Sequence, residues 1–384
     1  MRRDTSVSIP PLFDDVRLGF NFRANADEGE MNESIKHTLN RGVAIPAVPL
    51  ALSPDRKFDE RRQRALLRYY SAAGAGGLAV GVHTTQFAIR DAKHQLFEPV
   101  LKLAAEVMDE IDSGLEGRRS VGLVRVGGIC GGTSQALREA AFLHDLGYHA
   151  GLLNLGAMRD EPEEHVITHC RLVAEAIPLF GFYLGLSVGG RELPYSFWRK
   201  FAEIDNVTAI KIACFDRYGT ADCIRAIAES GRDDIALYTG NDDHIILDLI
   251  TPYRFVVGGR VVERRCVGGL LGHWAVWTKQ AVKLLNRCHE AIKTGEVSSE
   301  LLVLANEVTD ANGAFFDPAH SFAGCIAGLH HVLARQGLFT NACCLDPEEG
   351  LSPGQVDEIE RVYAAYPHLN DDAFVAQNID RWLA

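Results

Sequence analysis

From Gly42 onward the chain alternates short apolar runs with longer segments in which apolar residues recur at helical spacing. The runs are GVAIPAVPLAL (42–52), GLAVGV (77–82), SVGLVRVGG (120–128), HAGLLNL (149–155), FGFYLGL (180–186), VTAIKIAC (207–214), DIALYTG (234–240) and YRFVVGG (253–259). Between them, segments such as DERRQRALLRYYSAAG, KHQLFEPVLKLAAEVMDEI, TSQALREAAFLHDLG and EEHVITHCRLVAEAI carry apolar side chains every third or fourth residue, as helices with one buried face do. Eight strand–helix units in succession predict a parallel (β/α)8 TIM barrel, an α/β fold, more readily than an open sheet. Strands with so few polar positions fit burial beneath an outer ring of helices.

Two flanks lie outside the repeat. Residues 1–41 form a polar N-terminal extension with a short helix expected around DEGEMNESIKHTLN. The barrel is expected over 42–275, followed by a C-terminal helical region over 276–384 that packs on it. This region exceeds the single helix a minimal barrel needs, and the extra helices, with Trp274, Trp277 and Leu301–Leu304 among their apolar residues, are expected to support a homodimer or homotetramer.

Composition narrows the class. A 384-residue chain that is 47% hydrophobic can bury a large core. A formal charge of -12 without a Lys/Arg cluster speaks against a nucleic-acid partner. No apolar run approaches the roughly 20 residues of a membrane helix, and MRRDTSVSIPPLFDD lacks a hydrophobic signal segment, so no membrane partner and a cytoplasmic location are expected. The nine cysteines are scattered, without CxxC pairs, which fits reduced thiols. His165 and His169 stand four apart beside Cys170, but without the glutamate of a zinc helix; neither a metal nor a cofactor is expected.

Candidate chemistry begins with the lysine inside VTAIKIAC. Side chains alternate along a strand, so Ala209 and Ala213 share the face of Lys211 while Ile210 and Ile212 point toward the helices. Lys211 then projects into the barrel with space around its amine. By the same reasoning Tyr183 is assigned inward between Gly181 and Gly185, with Phe182 and Leu184 outward. The second strand ends in HTTQ, which sets His83, Thr84 and Thr85 at the C-terminal rim where barrel enzymes carry their chemistry. A lysine enclosed in this way loses hydration, which favours the neutral amine that attacks a ketone. Imine formation also requires a proton relay, for which a phenol suffices, and hydroxyls to hold a carboxylate.

These residues together resemble the dihydrodipicolinate synthase/N-acetylneuraminate lyase family of Schiff-base aldolases. GFYLG and AIKIA resemble its fifth and sixth strand motifs, and Tyr183 and Lys211 have the family's spacing. AIPAVPLALSPDRKFDERRQRALLRYYSAAGAGGLAVG resembles its opening, TGNDD (239–243) its strand-seven turn, and GLSPGQVDEIERVYAAY its last helix; the likeness runs from about residue 42 to 366. The resemblance implies a lysine, Lys211, that forms an imine with pyruvate or a related 2-oxo acid, a tyrosine, Tyr183, that relays protons, and a Thr84–Thr85 turn that holds the carboxylate. The chain departs from the family where HTTQF replaces a Gly-Thr-Thr-Gly-Glu turn, and where Val188 stands in place of the arginine of true synthases. NLGAMRDEP offers no second relay tyrosine. These departures point to an aldolase or hydratase-aldolase for another 2-oxo acid.

Two alternatives remain open on sequence. The backbone around Gly258 in VVGGR, with Arg260 and the TGNDD turn, suits substrate or phosphate binding, as in phosphosugar barrels without imine chemistry. The third reading is an inactive barrel that keeps only ligand binding.

Overall fold

The computed structural model describes residues 31–114 and 122–384. Its core is a closed barrel of eight parallel strands: β1 (Ala44–Pro46), β2 (Gly77–Val80), β3 (Val124–Ile129), β4 (Ala150–Leu153), β5 (Leu179–Leu184), β6 (Val207–Ala213), β7 (Ala236–Thr239) and, after an excursion, β10 (Gly268–Leu271). β10 pairs with both β7 and β1, and a parallel bridge between Ala47 and Ala79 closes the ring. The helices that cover it include α2 (Glu60–Ala73), α3 (Phe97–Gly114), α4 (Thr133–Asp145), α5 (Glu163–Ala174), α6 (Tyr195–Phe201), α7 (Arg217–Ser230) and α8 (Ile245–Ile250). This is the (β/α)8 barrel that the alternation of runs predicts. Buried residues divide into an inner cluster within the barrel and a larger one between strands and helices.

The eighth strand differs from the expectation. YRFVVGG is not in the barrel; it forms β8 (Tyr253–Val257), one arm of an antiparallel hairpin with β9 (Arg260–Arg264). Arg254 and Val256 are exposed on alternate positions, whereas every residue of β10 is buried. The run alternates with a period of two because only one of its faces is covered. Its Gly258–Gly259 pair makes a tight turn with both φ angles positive.

Helix α1 (Glu33–Arg41) closes the floor. Asn32 caps it by accepting from Ser34 N at 2.8 Å, and its Ile35 and Leu39 join the inner cluster with Met31. Tyr238 on β7 donates to Leu39 O at 2.9 Å, which fixes the helix to the barrel. The helix expected around DEGEMNESIKHTLN is found from Glu33 onward, with Met31 and Asn32 before it; residues 27–30 lie outside the described residues.

The C-terminal chain supplies α9 (Thr278–Thr294), α10 (Ser299–Phe316), α11 (Cys325–Arg335), α12 (Gln355–Ala365) and α13 (Asp372–Leu383). α13 packs on α2, where the Tyr69 ring meets that of Trp382 at a tilt with centres 5.5 Å apart and Arg68 donates to Trp382 O at 2.8 Å. The segment between α10 and α11 runs over the C-terminal mouth of the barrel, which gives these helices a part in enclosing the site. Gln355 of α12 secures that segment by donating to the carbonyls of Phe315 and Gly324 at 3.2 and 3.1 Å.

Candidate active site

Lys211 stands in the middle of β6 with only 7% of its surface exposed. Ala209 and Ala213 lie in the inner cluster, and Ile210 and Ile212 in the outer one, so the amine points into the barrel. Gly240, after β7, makes this possible: a Cβ there would come within 2.5 Å of Lys211 Cε. The ammonium end lies 4.6 Å from the centre of the Phe182 ring, a cation–π distance. Burial pushes the Lys211 amine below the ordinary lysine range, and the charge of Asp242 opposes that shift.

The cavity around the amine measures about 40 Å³, room for about three water molecules. Its wall is mostly apolar, with Phe182, Leu184, Phe215, Phe316 and Phe322 around it, and its polar lining comes from His83, Thr84, Lys211 and Asp242. Thr84 Oγ1 is buried and has no hydrogen-bond partner among the described residues. A buried hydroxyl left unpaired in a cavity wall is a position that a polar ligand atom would satisfy. His83 rests edge-on against Phe87 at 5.8 Å, and burial, reinforced by the charge of Lys211, pushes its imidazole down to about 4. It is therefore neutral at neutral pH.

Thr85 does other work. Its hydroxyl donates to Val48 O at 2.7 Å and accepts from Gly81 N and Val82 N at 3.0 and 3.3 Å. It holds the turn that presents Thr84 and has no place in the cavity lining.

Tyr183 is turned away from Lys211. The inward residues of β5 are Phe180, Phe182 and Leu184; Phe182 is the register partner of Lys211, and Tyr183 that of Ile212. Tyr183 packs outside the wall, 5.4 Å from Trp198 of α6. Burial, more than neighbouring charge, raises its phenol well above its ordinary range. The glycines beside it have another explanation than space for a ligand. A Cβ on Gly181 would meet the Phe201 ring at 2.8 Å, so this glycine admits α6 to the outer face.

Gly258 also lies elsewhere. It is exposed in the β8–β9 turn with nothing packed on it, and Arg260 next to it is exposed as well. Neither lines the cavity, because the run that carries them is the hairpin and not a barrel strand.

Two contributions escape the sequence reading. Asp242, in the TGNDD turn, is 4% exposed and accepts from His273 N at 2.8 Å through Oδ1. Burial raises its carboxyl above the ordinary range, against the pull of Lys211. An acidic pair at the end of an apolar strand is a signal for it, but TGNDD also reads as a turn that offers backbone amides. The second is the roof, Phe316, Phe322 and Cys325, delivered from more than a hundred residues downstream of Lys211. Asp317, Ser321, Phe322 and Phe215 all have positive φ near this roof, and Phe215 meets Phe322 at 5.9 Å. Residues held in that region are strained and collect at functional sites.

No family profile matches the sequence, and no curated protein is similar to it in sequence. Solved structures are similar in fold. Dihydrodipicolinate synthase from Oceanobacillus iheyensis superposes with a TM-score of 0.67 at 16% identity, over 87% of this chain and 99% of that one. YagE, a prophage protein of the dihydrodipicolinic acid synthase family from E. coli K12 solved with pyruvate, gives 0.64 at 15% identity, over 85% and 97%. CdNal from Clostridium difficile, solved with mannosamine, gives 0.64 at 14% identity, over 85% and 99%. The chain therefore has the barrel fold of the dihydrodipicolinate synthase and N-acetylneuraminate lyase structures, with a divergent sequence.

Proposed function

We propose that the protein is a Schiff-base lyase that joins Lys211 to a short 2-oxo acid and makes or breaks the adjacent carbon–carbon bond. The observation that carries this reading is a single desolvated lysine on β6, aimed into a small cavity beside the unpaired hydroxyl of Thr84. Burial lowers the proton affinity of the amine and so raises the share of its neutral, nucleophilic form. The iminium that forms withdraws electrons from the neighbouring bond, which is how such an enzyme labilises it. Thr84 would meet the carboxylate, His83 the carbonyl side, and the apolar wall would face the rest of the substrate. The likeness in fold to a structure solved with pyruvate supports a 2-oxo acid. The compartment is proposed to be the cytoplasm; among the described residues no helix is long and apolar enough to cross a membrane. A homo-oligomer is proposed through the C-terminal helices, where Leu302 and Val303 are exposed on α10.

The test is reductive trapping. Incubation with pyruvate or a panel of 2-oxo acids and sodium borohydride should leave a stable mass adduct on the peptide that contains Lys211. If native protein gains no mass with any of them, or gains it on another lysine, the reading is wrong. A second reading, a barrel that binds 2-oxo acids without turnover, draws on the absence of a tyrosine from the cavity lining; an adduct that forms without any carbon–carbon cleavage or condensation would favour it.

A further inference from the structure

With Tyr183 outside the wall, the site needs another group to move the protons of imine formation, and we propose that Asp242 is that relay. The inference rests on the reading of Lys211 as the imine-forming residue. Asp242 follows Gly240 at the end of β7, the strand hydrogen-bonded to β6, so its carboxyl and the Lys211 amine line one cavity. No direct ion pair joins them among the described residues, which leaves room for a reacting atom between them. His273 N holds Oδ1 at 2.8 Å and fixes the carboxyl's direction. The charged and titratable groups that act on Asp242 are Lys211 and Asp243, with the Cys325 thiol of the roof beside it. His83 is the other titratable group in the lining.

The burial that disfavours the ammonium of Lys211 also disfavours the carboxylate of Asp242, so the pair can exist as neutral amine and neutral acid. From that state the step balances. The amine lone pair forms the C–N bond as the carbonyl π bond breaks onto oxygen. The nitrogen sheds one proton and the oxygen takes one up, both through Asp242, to give a neutral carbinolamine. Asp242 then gives its proton to that hydroxyl, the C–O bond breaks, and water leaves. The products are an iminium on Lys211, a carboxylate on Asp242 and one water. The cavity thus converts a neutral pair into an attracting charged pair without a phenol.

Asp242→Asn keeps the Oδ1 acceptor for His273 N and removes the transferable proton. With pyruvate and timed borohydride quenching, native protein should form the Lys211 adduct, and Asp242→Asn should form it roughly 10²–10⁴-fold more slowly, the range for a positioned acid–base group. An adduct at the native rate in Asp242→Asn overturns the relay, and so does a native rate there combined with a slow one in His83→Gln. If Asp242→Asn does not fold by circular dichroism, the native protein decides: its infrared difference spectrum on pyruvate addition should lose a protonated-carboxyl band, and an unchanged band overturns the proposal. Absence of any adduct in native protein removes the Schiff-base reading itself, a result distinct from an adduct that forms without help from Asp242.

Discussion

β5 and β6 are neighbours in the barrel wall, and each carries one polar residue between small ones, yet they use opposite faces. On β6 the alanines beside Lys211 leave space inside the barrel; on β5 the glycine before Tyr183 leaves space outside it, for Phe201. A small residue shows that something comes close and not what comes close. In one strand it is the cavity, in the other a helix. Phe182 therefore faces Lys211 where a phenol was expected, and the polar groups on the inner side are the amine, Asp242, His83 and Thr84.

The strongest way to break this comparison is to empty its inner side. Lys211→Ala should abolish both the borohydride adduct and lyase activity; circular dichroism should show the fold retained, with a lowered Tm because the change empties a buried site and removes the lysine charge that faces Asp242. Residual adduct formation on Lys211→Ala protein would place the nucleophile elsewhere.

Next in size is the response of the outer layers to acid. His169 on α5 and His330 on α11 are fully buried, and burial pushes each down to about 4. His169 Nδ1 meets Thr133 Oγ1 at 3.0 Å, His330 Nδ1 meets Cys343 O at 2.9 Å, and both Nε2 atoms lack partners. In the unfolded chain these imidazoles titrate near 6.5, so between about 6.5 and 4 the unfolded state binds more protons. Stability is full above that window and falls as pH falls through it, by on the order of 3 kcal/mol per histidine at its lower end. Urea unfolding from pH 7 to 4 measures the slope, and replacing both residues by glutamine should reduce it, leaving the part that His83, His149 and His273 contribute.

Much of the fold was legible in the sequence because it depends on period alone. Seven of the eight barrel strands coincide with the apolar runs to within one residue, and the inward direction of Lys211 follows from its branched neighbours. The eighth strand, GGLL, is too short and glycine-rich to stand out, while the hairpin before it imitates a strand of the barrel because it is one outside it. Placement at the cavity was legible where it depends on local alternation, as for Lys211 and Thr84. It was hidden where a role depends on distant packing: Asp242 owes its burial to the enclosed mouth, and the roof comes from Phe316 and Phe322 far along the chain. The face of Tyr183 was likewise set by α6, which no count along β5 could reveal.

The two threonines sharpen the comparison within one turn. Thr85→Val would strand Val48 O, Gly81 N and Val82 N, all in the buried turn, and should cost about 1–3 kcal/mol of stability. Thr84→Val removes a hydroxyl that has no partner, so Tm should hold or rise slightly, while affinity for a 2-oxo acid falls about tenfold, or about 1.4 kcal/mol. Equal effects of the two variants on affinity would mean that both hydroxyls reach the ligand.

The smallest expected effect is also the sharpest test of the outward face. Tyr183→Phe keeps the ring against Trp198 and removes only a phenol oxygen that faces the outer layer. Its loss should cost no more than about 1 kcal/mol, the scale of one net hydrogen bond. Because neither the ring nor the oxygen lines the cavity, kcat and the rate of borohydride-trappable imine formation should stay within about twofold of native, far from the roughly 10²–10⁴-fold loss that follows removal of an acid–base group. Turnover measured on Tyr183→Phe beside Asp242→Asn decides between the faces: a large loss at Tyr183 with little at Asp242 would return the relay to β5 and require that strand to present its other face to the lysine.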